Sequence, residues 1–74
     1  MDQKIELEHL RMADMHISAA RECITRQVSL IARLEEGGHE TAAAQEILRT
    51  MRNTLDAMED HRRAIKREIA SYPD

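Results

Sequence analysis

Leu10, Ile17, Ile24 and Ile31 stand at a strict seven-residue spacing, and Ala13, Ala20 and Leu34 fall three residues further on, with Gln27 as the polar exception. Apolar residues at alternating steps of three and four form one stripe along an α-helix, the seam by which helices pack on one another. After a gap the pattern resumes. Leu48, Leu55 and Ile69 make one row and Ala44, Met51, Met58, Ile65 and Tyr72 the row beside it, with Arg62 interrupting the first. Arg11, Glu22, Arg26 and Arg33 lie off the first seam and keep the opposite surface in water. The spacing predicts helices over about residues 4–36 and 42–71, each about 45 Å long at about 1.5 Å per residue.

The gap reads "RLEEGGHET", residues 33–41. Gly37 and Gly38 are the residue type that ends a helix, because glycine enters the left-handed backbone region without a steric penalty. Thr41 is placed to cap the next helix, its hydroxyl accepting from an otherwise unpaired backbone N–H. Ala42, Ala43 and Ala44 then start that helix with strong formers. Two adjacent glycines inside one continuous helix would cost about 2 kcal/mol relative to alanine. The segment therefore predicts a turn over 37–41, and Pro73 closes the second helix. The fold class is all-α: a single domain over residues 1–74, folded as an antiparallel two-helix hairpin of coiled-coil type.

A chain of 74 residues is too short to bury a comfortable core. With no Phe or Trp and one Tyr, core volume must come from Ile, Leu, Met, Val and Ala. Apolar residues also flank the seams: Val28, Leu30 and Ile47 near the turn, and Ile5, Leu7, Met12 and Met15 near the open end. Spare apolar surface on a small hairpin predicts a homodimer, two hairpins closing a four-helix bundle. Across the helices Asp14 is expected to approach Lys66 and Arg21 to approach Glu59. Arg62 should run its stem along the seam with a wet guanidinium, and Gln27 should pair with a symmetry mate.

Charge and chemistry narrow the function. The net charge is −3 and the pI near 5.8, which speaks against a dedicated nucleic-acid binder. The basic run Arg62, Arg63, Lys66 and Arg67 offers an alternative: an acidic or nucleic-acid partner, though without aromatic residues to stack on bases. The amino-terminal residues do not read as a signal peptide, no segment is long and apolar enough for a membrane span, and the single Cys23 excludes an intrachain disulfide. Those features point to a cytoplasmic protein. Among the histidines, His16 and His61 should face each other across the hairpin, and Glu6 with His9 form a Glu-x-x-His pair such as di-metal bundles carry. Neither pair reaches the ligand count of a metal site, so no metal or other cofactor is expected. Ser18, Ser29 and Ser71 lack a His-and-acid arrangement and there is no glycine-rich phosphate loop, so no enzyme activity is expected. Helical hairpins that dephosphorylate response regulators carry Ser-Gln-Glu-Leu-Asp. The segment "RNTLD", 52–56, keeps only Leu-Asp, and that activity is not assigned.

One resemblance covers about residues 9 to 65. "HISAARECITRQVSLIARLEEGGHETAAAQEIL", followed by "HRRAI", resembles short uncharacterised bacterial proteins of alphaproteobacterial type, with a His-Ile start, an LI-x-RLE run and a Gly-His-Asp/Glu-Thr turn. It implies a helical hairpin and brings no activity. The expectation is a small interaction or regulatory protein acting through a homo-oligomeric helical surface.

Overall fold

The computed structural model describes residues 3–73 and consists of two helices, α1 (Gln3–Glu36) and α2 (Ala42–Ala70), packed against each other. It is a rod of 59 × 15 × 13 Å. The seam rows face inward. Ala13, Ile17, Ile31, Leu48 and Ile65 are buried, while Leu10, Ile24, Leu34, Met51, Leu55, Met58 and Ile69 are half-buried. Every apolar seam position is thus engaged within one hairpin.

The turn is built by glycine. Gly38 has φ +74°, the left-handed region, and the backbone N–H groups around it close two reversed bonds onto the helix end. His39 N–H donates to the Leu34 carbonyl at 2.9 Å and Gly38 N–H to the Glu35 carbonyl at 3.1 Å. This six-to-one, five-to-two pair is the Schellman arrangement, which satisfies carbonyls that the last helical turn leaves open. Gly37 differs. Its φ is not positive, and a methyl group there would meet the His39 imidazole, with Cδ2 at 2.9 Å. A movable side chain can step aside. Gly38→Ala is therefore expected to lower stability by about 1–2 kcal/mol, and Gly37→Ala by less, read as the shift in urea midpoint at constant slope.

Thr41 departs from expectation. Its side chain makes no capping hydrogen bond; its carbonyl accepts from Gln45 N–H at 2.8 Å, the first bond of α2. With φ −119° and ψ 4°, the residue is outside the extended geometry in which a cap hydroxyl reaches the N2 or N3 amide. At the other end Ser71 closes α2, its N–H donating to Arg67 and Glu68 carbonyls at 3.1 Å each and its hydroxyl to Glu68 at 2.7 Å.

Three further pairings fix the register. Arg21 Nη2 donates to Glu59 Oε2 at 2.8 Å, as expected. Asp14 is taken by Arg62 Nε rather than by Lys66. Arg62 occupies a seam position and is half-buried, so its head emerges beside Asp14 while its stem stays packed. Gln27 has a partner inside the chain, its Nε2 donating to the Ala44 carbonyl at 2.9 Å.

A candidate association face

The rod has two long edges, and they differ. With Leu10 and Ala13 labelled a and d of the heptad, one edge carries the b and e positions. It presents Lys4, Arg11, Asp14 and Arg21 from α1, and Arg49, Arg52, Asp56, Glu59, Arg63 and Lys66 from α2. The Arg21–Glu59 and Arg62–Asp14 pairs lie along it. Such exposed pairs contribute about 0–1 kcal/mol each, so they set register rather than stability.

The opposite edge carries the c and g positions. On α1 these are Ile5, His9, Met12, His16, Ala19 and Cys23; on α2 they are Ala43, Ile47, Thr50, Thr54, Ala57, His61 and Ala64. None bears a fixed charge, in a chain of which 34% is charged, so the asymmetry is not a matter of composition. Charges reappear with Arg26 and Arg33 in the part of the edge nearer the turn and with Glu68 toward the open end. An apolar groove runs between the helices here, lined by Ala20, Cys23, Ile47, Thr50, Met51 and Thr54 together with Glu46. The Glu46 carboxylate is engaged by Arg49 at 2.8 Å. Thr50 turns its hydroxyl back to the Glu46 carbonyl at 3.2 Å and so presents its methyl group more readily. Of the exposed large apolar residues, Ile5, Met12, Leu30 and Ile47 belong to this edge; Leu7 and Val28 lie on the charged one and Met15 on the outer face.

The histidines proposed as ligands gather on the neutral edge. His9, His16 and His61 line one depression with Met12 and Ala13, which places His16 and His61 on facing helices. Among the described residues no group of three or more His, Cys, Asp or Glu side chains is placed to hold a metal ion. Glu6 and His9 are one turn apart, Glu6 Oε1 lying 4.0 Å from His9 Nδ1, and Glu68 is exposed on α2 beside Ala64, Arg67 and Ser71.

Glu6 carries a second surprise. It is 3% exposed, in a d position of the seam, and its Oε1 has no hydrogen-bond partner. A buried acceptor without a partner costs about 1–3 kcal/mol. Glu6→Met, similar in length and apolar, is expected to raise the thermal midpoint, while Glu6→Gln, which keeps a polar head in the same place, should not; a thermal melt followed by circular dichroism separates them. At the amino-terminal end Arg11 hydrogen-bonds Glu8 and its charge reinforces the effect, holding the Glu8 carboxyl below its ordinary range.

In the basic run, two of four cations are already matched: Arg62 by Asp14 and Arg63 by Asp60. No helix among the described residues is long and apolar enough to cross a membrane. Comparison with protein-family models, with curated proteins and with solved structures finds no match for this chain.

Proposed function

We propose that this chain is a small non-enzymatic interaction protein of the cytoplasm that works as a homodimer, two hairpins joined along their neutral edges into a four-helix bundle. The observation that carries the reading is the mismatch between what the hairpin buries and what it leaves exposed. Among the described residues five apolar ones are buried, none of them completely, while seven large ones stay exposed. The accessible surface is 5696 Å², whereas a compact chain of 8.5 kDa exposes about 4,650 Å² by the surface–mass relation. The difference, about 1,000 Å², matches the roughly 800 Å² that each partner gives up in a standard interface. A dimer would present the two charged edges outward, and those edges are the surface offered to other proteins.

A dimer whose folding is coupled to association melts at a temperature that rises with protein concentration. The melting midpoint is expected to climb over a hundredfold range of concentration. A midpoint independent of concentration over that range, at micromolar protein, would sink the proposal.

A further inference from the structure

We infer that the second copy docks with its turn beside the first copy's turn, about a two-fold axis parallel to the rod, so that α1 of each hairpin lies on α2 of the other. This rests on the homodimer proposed above and specifies its register. Two arrangements bring a neutral edge onto its own copy. An axis across the rod reverses one hairpin and sets α1 on α1 and α2 on α2. An axis along the rod keeps the ends together and sets α1 on α2.

The hairpin's own register tells which residues would meet. The Arg21–Glu59 and Arg62–Asp14 pairs cross between helices at nearly level positions, and with that register Cys23 comes level with Thr54 in the groove and His16 with His61 in the depression they share. One heptad nearer the turn, the same register sets Leu30 level with Ile47. With the turns together, each α1 residue meets the α2 residue of equal height from the other copy. Leu30 then packs on Ile47, both exposed in the single hairpin at 38% and 51%, and Cys23 packs on Thr54. Glu68, the one acidic residue of the edge, comes level with His9, which can donate to it.

The reversed arrangement is worse at the same positions. Centred on the midpoint of α1, where His16 of one copy comes level with Cys23 of the other, the reversed arrangement sets Glu68 against Ile47 of the other copy and Arg33 against the Ile5 end of α1. Covering a charge with an apolar side chain removes its water and gives nothing back. The first arrangement sets Arg26 and Arg33 near Thr50 and Ala43 but joins Leu30 to Ile47 and Glu68 to His9, whereas the second sets Glu68 on Ile47 and Arg33 on the Ile5 end.

Cys23 is the only cysteine and is exposed, which makes the register readable by disulfide formation between two differently tagged chains. One chain carries the native Cys23. The other carries Cys23→Ser with either Thr54→Cys or His16→Cys, so each chain holds one thiol and no intrachain bond can form. Both new positions are exposed in the hairpin, and helicity is checked by circular dichroism before mixing. The turns-together register predicts a covalent heterodimer with the Thr54→Cys partner, at least tenfold more abundant than with the His16→Cys partner. The reversed preference would overturn the register, because His16 and Cys23 come to similar heights only when one hairpin is inverted. Cross-linking with neither partner, in protein that sediments as a dimer, would overturn the neutral edge as the interface. Protein that sediments as a monomer would instead refute the underlying dimer reading.

Discussion

Ala57→Glu is expected to turn the proposed dimer into a monomer at micromolar concentration. Ala57 sits in the middle of the neutral edge, exposed on α2 between Thr54 and His61. In the bundle its two copies would lie in the interface, so the substitution introduces two carboxylates with no cation on the neutral edge beside them. Burying an unpaired charge costs several kcal/mol, and a loss of about 3 kcal/mol already weakens the dissociation constant about a hundredfold. The same change at Ser18, exposed on the charged edge beside Arg21, should leave association within a factor of about three, since single exposed charges contribute about 0–1 kcal/mol. Sedimentation velocity of the two variants provides the comparison. Equal effects from the two sites would assign the substitution's action to helix destabilisation rather than to an interface.

Ile17→Ala should act on the fold itself. Ile17 is 4% exposed, in a core whose other buried apolar residues, among those described, are Ala13, Ile31, Leu48 and Ile65. Truncating a buried isoleucine costs about 2–5 kcal/mol, through lost transfer energy and the cavity left behind. A chain of 74 residues has about 4–11 kcal/mol in all at typical stability per residue. The substitution should therefore remove a large share of the stability and leave a substantial unfolded population at 37 °C, seen as loss of helical circular dichroism at all protein concentrations. Ala57→Glu is different in kind: its damage should be relieved by raising the concentration. The pair separates the intramolecular seam from the proposed intermolecular face.

The seam was legible because a heptad repeat needs nothing but the order of residues. Leu10 to Ile31 and Leu48 to Ile69 declare a face whatever they pack against, and Gly37-Gly38 can end a helix but not continue one cheaply. What depended on register was harder to read. Asp14 could be assigned to Lys66 or to Arg62 from sequence, one turn apart on the same side of α2, and only the closed turn decides for Arg62. Gln27 looked like an intermolecular hydrogen-bonder because its partner, the Ala44 carbonyl, is backbone and leaves no mark in the residue pattern. Thr41 has the residue type of a cap without the dihedral angles of one.

The neutral edge is written in the sequence too, in the uncharged c and g positions, yet it becomes a single surface only when g of α1 is known to lie beside g of α2. Cys23 with Thr54 and His16 with His61 establish that. Glu6 was singled out in the sequence for its spacing to His9, whereas its distinguishing property is burial without a partner for Oε1. A d position ordinarily filled by an apolar side chain was the available sign. The charged edge, by contrast, carries the Arg21–Glu59 and Arg62–Asp14 pairs and, of the exposed large apolar residues, only Leu7 and Val28 among the described residues.

Sedimentation equilibrium on the unmodified protein decides whether two hairpins associate. Across low to high micromolar concentrations the expected mass is twice the 8.5 kDa of the chain, falling toward the single-chain value only on dilution. A mass of one chain throughout that range would contradict it.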